Sequence, residues 1–490
     1  MSIKSLCFLL FVSFACSAFA QTQTKYSDSE EEKIKQVENN ISGWVQIEGV
    51  KSVWTLPERM QYYHVNGLSI AVIHNYRLEW AKGYGWADSA KQIPVTTQTL
   101  FQAASISKSL NAVGVLKLAE EKKLNIHNDI NYYLKSWQLP ESKFTADKKV
   151  TVYNLLNHTA GLNVHGFLGY EKGDSIPSIV QILNGEKPAN SEAIRSNTVP
   201  GTNVEYSGGG VLISQLIVTD IAHEPYDKYQ WNQVLKPLGM TNSFYTQPPP
   251  KNKSALLATG YDTNGKEING KYHIYPELAP AGLWTNPVDL SKFIIETQLS
   301  YEGKSNKVLS QTMTKEMLTP FKGSDAGLGV FIDSIGNRTY FQHGGSNEGF
   351  KCQYFASLTG GDGVVVMVNS DQDGILRDVI NSVAQAYNWK DFYNPQKKKI
   401  INVPDDTLQQ YVGNYSLNQI NISVFKKGNN LFLSRNGGSP MQLYFTSNAD
   451  FFVMEIEAGR IKFEKSKAGN NYNYDIVLKD GDNDVRFVKK

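Results

Sequence analysis

Residues 100–110 read Leu-Phe-Gln-Ala-Ala-Ser-Ile-Ser-Lys-Ser-Leu, and they mark the point where a β-rich segment turns into an apolar helix. Ser105 stands at the turn. Lys108 follows by one helical turn, so its amine can reach back to the Ser105 hydroxyl. A serine hydroxyl is a weak nucleophile unless a base or a positive charge lies beside it. The pair therefore indicates a nucleophilic site, although the spacing alone proves little, because Ser423 and Lys426 share it.

The composition is that of a folded chain with more than one domain. It has 490 residues, of which 41% are apolar, enough for a large core. The 49 basic and 47 acidic side chains leave a formal net charge of +2. Because nucleic-acid binding requires a strongly basic face, we expect no nucleic-acid partner.

The first 20 residues have the pattern of a secretion signal. Lys4 supplies the positive start, residues 6–15 form a short apolar core, and Ala18-Phe19-Ala20 fits the small-residue cleavage pattern. The apolar run is too short for a membrane span, and the rest of the sequence offers no other candidate for one. Cleavage near Ala20 predicts a periplasmic or extracellular protein.

Cysteine usage agrees with an exported chain that has no disulfide. Cleavage removes Cys7 and Cys16 and leaves Cys352, for which a buried structural position is the better interpretation. A lipid anchor on Cys16 is the weaker alternative, because Ser13 and Phe14 make a poor lipoprotein box. Since no Cys or His cluster has metal spacing and no phosphate-binding loop is present, we predict neither a metal nor a cofactor.

Periodicity predicts helices and an antiparallel sheet in the segment 21–393. The helix that begins near Ser107 is apolar on most sides, which places Lys108 near the interior, where desolvation lowers the pKa of an amine. The other predicted elements are an amphipathic helix at 27–49, a hairpin at 68–73 and 77–84, a helix opening at 150–156, strands at 327–333, 338–343, 349–355 and 363–369, and a closing helix at 375–389.

The pattern changes after residue 393. Residues 394–403 form a predicted linker, and short strands separated by turns occupy 404–490. We expect a small all-β barrel there, either to shape substrate access or to mediate self-association into a homo-oligomer. It carries no evident chemistry, since Ser423 and Lys426 would point to opposite faces of one strand.

Two further stretches offer the base and the backbone donors that a nucleophilic serine requires. Tyr206-Ser207-Gly208 stands in a tight loop before an apolar helix. His343-Gly344-Gly345-Ser346 belongs to a strand whose glycines let a substrate lie against the backbone. The sequence has no Gly-x-Ser-x-Gly element, which argues against an α/β-hydrolase.

Taken together, these motifs resemble those of the serine β-lactamase and penicillin-binding-protein family, in particular its class C and D-peptidase/esterase branch. Ser105 and Lys108 match the Ser-x-x-Lys motif, residues 206–208 stand where the family has Tyr-x-Asn, and residues 343–345 stand where it has Lys-Thr-Gly or His-x-Gly. Residues 157–162, 235–240 and 281–284 resemble further family signatures.

The resemblance implies a fold. The first domain, 21–393, is expected to have the α+β β-lactamase/DD-peptidase fold: an antiparallel sheet flanked by helices, with a mostly helical subdomain. The second, 404–490, resembles the lipocalin-like barrel domains that some relatives carry.

The resemblance also implies roles. Ser105 would form the acyl-enzyme, with Lys108 and Tyr206 as the base and the Tyr206 phenolate favoured by the Lys108 ammonium. The amides of Ser105 and Ser346 would form the oxyanion hole. His343 would polarise the tyrosine or orient a substrate carboxylate. The remaining substrate-binding positions would be Gly344, Gly345 and Gly208.

One position departs from the family pattern. Gly208 replaces the asparagine that in the family contacts the substrate amide and the lysine. The change weakens the expectation of β-lactamase activity, leaves Ser105, Lys108 and Tyr206 in place, and is expected to enlarge the pocket.

Three functions remain open. The first is a secreted serine hydrolase acting on small or D-residue-containing peptides or cell-wall fragments; the second is a carboxylesterase of the same fold; the third is a non-catalytic binding or sensing protein. Each side chain also has a structural interpretation: Ser105 as a helix cap, Tyr206 as a packed loop residue, His343 as a hydrogen-bonded strand histidine, and His158 as a histidine that bonds local backbone.

Overall fold

A seven-stranded antiparallel sheet lies at the centre of the first domain. The structure is a computed structural model that describes residues 25–418, 420–438, 440–454, 460–466, 474–480 and 483–490, so the predicted signal peptide lies outside the described residues. In sheet order the strands are Ile93–Pro94, Arg77–Asp88, Gly67–His74, Gly363–Val368, Phe350–Ser357, Arg338–Asn347 and Phe331–Ile335.

The sheet joins strands that are far apart in the sequence. Strand Gly67–His74 forms the predicted hairpin with Arg77–Asp88 and pairs on its other side with Gly363–Val368, where Ile70 stands opposite Val366. All 6 residues of Gly363–Val368 are buried. Successive side chains point to opposite faces of a strand, so a strand without exposed residues must be covered on both faces.

Helices provide that cover. Val364 and Val366 pack towards Asp28–Asn39 and Gly374–Ala386, whereas Val365 and Met367 pack towards the larger helical side. The remaining α-helices in the described part of the first domain are Leu56–Tyr62, Ser107–Glu120, Val152–Leu156, Ile179–Asn184, Gly208–Ala222, Tyr226–Gln230, Lys236–Leu238, Leu278–Ala281, Pro287–Tyr301 and Gln311–Met317. Short 3₁₀ helices are Ala104–Ile106, Ile130–Tyr132 and Lys251–Leu256, and Trp231–Leu235 is a π-helical turn.

Helix Ser107–Glu120, the central helix, is buried on almost every side. Its polar residues therefore need internal partners. Asn111 donates to the Ser214 hydroxyl at 2.9 Å and accepts from the Tyr226 hydroxyl at 3.0 Å. Two small sheets complete the domain: Phe101–Gln102 with Trp284–Thr285, and Val45–Ile47 with Gln396–Lys398.

The segment predicted as one helix over 27–49 is shorter in the structure. The helix begins at the Ser27 capping box and ends at Asn39. Asn, Ser and Gly at 40, 42 and 43 disfavour helix, and the chain continues as strand Val45–Ile47. Its parallel partner, Gln396–Lys398, lies within the predicted linker, which is therefore partly ordered as a strand.

In its described residues, the second domain forms a nearly closed barrel of nine antiparallel strands. Their order is Met441–Gln442, Asn430–Arg435, Ile420–Lys427, Gly413–Leu417, Asn483–Lys489, Tyr474–Asp480, Arg460–Lys465, Asp450–Phe452 and Tyr444–Phe445. Only Leu443 separates the first from the last strand along the chain. A helix that was not predicted, Asp405–Tyr411, contributes Tyr411, whose ring stacks on Phe463 at 3.9 Å.

The barrel lies against the first domain through a small apolar cluster of Val45, Ile47, Phe452 and Met454. The Ser-x-x-Lys pair of the barrel, Ser423 and Lys426, has separate partners. The Ser423 hydroxyl donates a hydrogen bond to the Asn414 side chain, and Lys426 forms an ion pair with Asp405. Within the described ranges, no helix is both long and apolar enough to cross a bilayer.

Candidate active site

A cleft of ≈ 870 Å³ opens where the central helix begins. Its walls are the start of that helix, strand Arg338–Asn347 (the glycine strand) and a loop at residues 165–167. The structure brings together in this cleft every residue that the sequence placed in the site: Ser105, Lys108, Tyr206, Gly208, His343, Gly344, Gly345 and Ser346.

Ser105 lies in the 3₁₀ turn that leads into the central helix. The Lys108 side chain is 2% exposed, and its Nζ lies 2.9 Å from the Ser105 Oγ. The same Nζ donates to the Pro280 carbonyl at 2.9 Å. Burial lowers the pKa of Lys108 to about 7, because the charged form loses its hydration. A large share of this amine is therefore neutral near pH 7 and able to accept a proton.

Tyr206 lies beside this pair. Its hydroxyl is hydrogen-bonded with Ser105, and its ring centre is 4.9 Å from the Lys108 Nζ. The rings of His158 and His165 pack against it at 4.3 and 4.8 Å. Burial raises the pKa of Tyr206, and the Ser105 hydrogen bond only partly offsets this. The phenol is thus protonated at neutral pH, contrary to the expected phenolate, because burial disfavours its charge and also lowers the charge on Lys108.

The two buried histidines of the site, His158 and His343, are neutral because burial lowers the pKa of each. Burial, with a contribution from Lys108, lowers the pKa of His343 to about 3. Its Nδ1 donates to the Gly344 carbonyl at 2.5 Å, so Nε2 is left as an acceptor with no partner among the described residues. The two roles expected of His343, polarising Tyr206 or orienting a substrate carboxylate, stay predictions. His158 accepts from the Ser207 amide at 3.2 Å, in keeping with its structural interpretation.

The glycine strand approaches the serine turn very closely. A Cβ added at Gly345 would lie 2.3 Å from the Ala103 carbonyl oxygen and 2.5 Å from the Cys352 Sγ. At Gly344, by contrast, the nearest atom would be 3.8 Å away. The bare backbone at Gly345 therefore lets the strand carry Ser346 to the cleft beside Ser105, and Ser346 is exposed there.

The absent side chain at Gly208 does not enlarge the pocket, contrary to expectation. The Gly208 amide donates to the His165 carbonyl at 2.9 Å. A Cβ at 208 would lie 3.1 Å from that oxygen and 3.2 Å from the Phe167 ring. The loop at residues 165–167 thus occupies the space in which an asparagine side chain would begin.

Several cleft residues were not identified from the sequence. They are Phe331 on the edge strand, Gln342 and Gln353 on neighbouring strands, Lys351, which pairs with Asp371 at 2.7 Å, and Arg377 on helix Gly374–Ala386. Periodicity assigns them to strands and a helix but gives no sign of where the sheet brings them. For the loop at 165–167, the sequence offers one weak indication of a place in the site, which is an aromatic residue, Phe167, in a segment bounded by glycines.

Comparison with known proteins agrees with this geometry. A family model described as Beta-lactamase matches residues 55–386. A protein of Bacillus subtilis (strain 168) named as a penicillin-binding protein, PbpX, is 25% identical over 374 residues, which are 75% of this chain and 83% of that protein.

Solved structures show the same fold. The octameric penicillin-binding protein homologue from Pyrococcus abyssi superposes with a TM-score of 0.63 at 20% identity, covering 89% of this chain and 97% of that one. The D-amino acid amidase from Ochrobactrum anthropi SV3 superposes with a TM-score of 0.55 at 21% identity, covering 68% and 96%. The family match spans more than half of the chain and contains Ser105, Lys108, Tyr206 and His343. The chain therefore belongs to the β-lactamase family of serine hydrolases and penicillin-binding proteins.

Proposed function

We propose that this protein is an exported hydrolase that forms an acyl-enzyme on Ser105 and cleaves small or D-residue-containing peptides. The observation that carries the proposal is the buried Lys108 amine, with a pKa of about 7, whose Nζ lies 2.9 Å from the Ser105 Oγ in an open cleft. A base with a pKa near the working pH has the best balance of availability and strength.

Acylation begins with the neutral amine. Lys108 donates one N–H to the Pro280 carbonyl, which leaves its lone pair for the Ser105 hydroxyl proton. The Ser105 Oγ attacks the substrate carbonyl carbon, the proton passes to Lys108, and the carbonyl electron pair moves to the oxygen. Backbone amides of Ser105 and Ser346 are the proposed donors to that oxyanion, each worth roughly 3 kcal/mol in such sites.

Collapse of this intermediate requires a proton on the leaving nitrogen. Tyr206 is protonated and hydrogen-bonded with Ser105, so it can donate that proton while the Lys108 ammonium replaces it. The amide C–N bond breaks and the acyl-enzyme remains. Water then attacks the acyl carbon and gives a proton to Lys108. The bond between the acyl carbon and the Ser105 Oγ breaks, the Ser105 Oγ takes that proton back, and the acid leaves. In this scheme Lys108 is the base and Tyr206 is a proton relay.

Peptides suit the cleft. Phe167, Phe331 and Leu376 offer apolar contacts, while Gln342 and Gln353 offer amide groups. The likeness to a D-amino acid amidase and to penicillin-binding proteins supports D-residues in the substrate. The predicted secretion signal would bring the enzyme to the compartment that contains cell-wall peptides.

An ester substrate is the second candidate. Position 208 has no side-chain amide to hold a peptide bond, and the 165–167 loop fills that space. An ester lacks the N–H that such a group recognises and has a better leaving group.

Intact-mass labelling with a fluorophosphonate tests the proposal. One adduct is expected on the wild type and none on Ser105→Ala. An adduct that persists in Ser105→Ala would refute the assignment of the nucleophile, and no adduct on either protein would support a non-catalytic role. Hydrolysis of acyl-D-Ala-D-Ala peptides, p-nitrophenyl esters and a penicillin by the labelled protein then separates peptidase from esterase.

A further inference from the structure

A second cavity, of ≈ 850 Å³, lies between helix Leu56–Tyr62 and the barrel. The first domain contributes Trp54 and Tyr62 to its wall, and the barrel contributes Lys427, Phe432 and Arg435. The roles proposed above assign nothing to this cavity.

The cavity borders the active-site cleft. Asp373 and Gly374 line both spaces. Gly374 begins helix Gly374–Ala386, the last helix of the first domain, and it has no side chain to place between the two spaces. On the cavity side, Gly374 packs closely against the Tyr63 ring: a Cβ added at Gly374 would lie 2.7 Å from that ring. A bound peptide that extends from the Ser105 site past Gly374 would therefore reach the second cavity.

The barrel wall is held in place relative to the first domain. The cluster of Val45, Ile47, Phe452 and Met454 joins the two domains. The backbone reinforces it, since the Val45 amide donates to the Met454 carbonyl at 3.4 Å and the Ile401 amide donates to the Phe445 carbonyl at 2.8 Å. A fixed wall can act as a binding surface without first being ordered by the ligand.

The chemistry of the cavity favours an anionic chain. Tyr62 is 50% exposed, and the Lys427 Nζ lies 5.5 Å from the centre of the Phe432 ring. Lys427 and Arg435 are exposed and form no ion pair with any acidic residue that the structure describes. The acidic residues in the wall are Glu58 and Asp373. Glu58 forms an ion pair with Lys51 at 2.7 Å, and Asp373 lies where the cavity meets the cleft.

We infer that this cavity binds the distal part of an acidic peptide whose scissile bond lies at Ser105, with Lys427 and Arg435 recognising its carboxylates. The inference rests on the proposed function and narrows its substrate class to extended acidic peptides. It also gives the barrel a role, as one wall of a substrate groove that spans both domains.

Calorimetric titration of the Ser105→Ala protein tests the inference without turnover. The probes are Glu-Glu-Gly-D-Ala-D-Ala and Lys-Lys-Gly-D-Ala-D-Ala. The acidic peptide is expected to bind roughly threefold to tenfold more tightly, because two exposed cations each add a modest attraction. Adding Lys427→Glu and Arg435→Glu should remove or reverse this preference.

The matched control is Lys465→Glu with Lys490→Glu, which makes the same change in net charge on exposed barrel residues outside the cavity. It should keep the preference for the acidic peptide. Equal affinities of the two peptides for the Ser105→Ala protein, or a preference that survives Lys427→Glu/Arg435→Glu, would overturn the inference.

Fluorophosphonate labelling separates this result from the proposed function. Proteins that retain Ser105 and carry Lys427→Glu/Arg435→Glu should label at the wild-type rate. A slower rate would contradict the inference, because the two cations would then act on the nucleophile rather than on a distant peptide segment. Failure of the wild type to label would refute the proposed function, while the titrations would still decide whether the groove binds acidic peptides.

Discussion

The Cys352 thiol donates a hydrogen bond to the carbonyl oxygen of Ala103 at 3.2 Å, two residues before Ser105. Cys352 stands opposite Gly345 in the paired strands. Burial raises the pKa of the thiol, so it keeps the proton that it donates. This contact and the bare backbone at Gly345 hold the serine turn against the glycine strand.

Gly345→Ala should disrupt that contact. Its Cβ would lie 2.3 Å from the Ala103 oxygen, so either the strand or the serine turn must move. We expect a loss of about 1–3 kcal/mol in the free energy of unfolding, as for other overpacked sites. The rate of fluorophosphonate labelling should fall at least tenfold, as a displaced nucleophile loses its alignment. Urea unfolding and labelling kinetics measure the two effects.

Gly344→Ala is the matched control for stability. The nearest atom to its Cβ is 3.8 Å away, an ordinary contact. Its unfolding free energy should stay within about 1 kcal/mol of the wild type. If both variants lose the same stability, the close approach at Gly345 is not the cause.

The rate of acylation should depend on pH through Lys108. Its pKa is lowered to about 7, and only the neutral amine can accept the Ser105 proton. The labelling rate should therefore rise with pH to a plateau, with a midpoint near 7, and fall as the amine becomes protonated in acid. Stopped-flow labelling between pH 5 and 9 measures the midpoint.

Lys108→Arg separates the base from the positive charge. Guanidinium stays protonated throughout this pH range. The variant should lose about 10²–10⁴-fold in labelling rate, the usual contribution of general-base catalysis, and the pH step near 7 should vanish. A step that persists in Lys108→Arg would assign the titration to another group.

The position of Gly208 gives a further prediction. An asparagine there would restore the family residue, but its Cβ would lie 3.1 Å from the His165 oxygen and 3.2 Å from the Phe167 ring. Gly208→Asn should cost about 1–3 kcal/mol of stability and should not create penicillin hydrolysis. In the control Gly210→Ala, two residues on, the nearest atom is 3.5 Å away, so stability should be kept or rise by up to about 1 kcal/mol. Penicillin turnover by Gly208→Asn would show that the loop gives way.

The sequence predicted the parts of the site that local spacing controls. Ser105 and Lys108 are one helical turn apart, so their contact needed only a helix, whereas Tyr206 and the glycine strand were placed by resemblance. The apolar helix also predicted the lowered pKa of Lys108. The protonated state of Tyr206 was not predicted, because it depends on burial that no motif records. Phe331 lies on the edge strand and Arg377 on helix Gly374–Ala386, and no local spacing marks either of them as a cleft residue. Gly208 is covered by a loop without periodicity.

Glu277 should make the stability of the protein depend on pH. It is fully buried, neither carboxyl oxygen has a hydrogen-bond partner among the described residues, and burial raises its pKa to about 8. It directly precedes helix Leu278–Ala281, which carries the Pro280 carbonyl that holds Lys108. The folded protein thus keeps the Glu277 proton at pH values where the unfolded chain, with the ordinary value of 4.5, has lost it.

The contribution of Glu277 to the free energy of unfolding is therefore fully present below pH 4.5 and is lost progressively as pH rises towards 8. Over that range the folded state binds a proton that the unfolded chain has lost. Glu277→Gln keeps the shape of the neutral acid and removes the titration. We expect the two proteins to have similar urea-unfolding free energies at pH 4.5. At pH 8.5 the variant should be more stable by about 2 kcal/mol or more, because each pKa unit corresponds to about 1.4 kcal/mol. Parallel stability curves for the two proteins across this range would show that Glu277 ionises in the folded state as readily as in the unfolded chain.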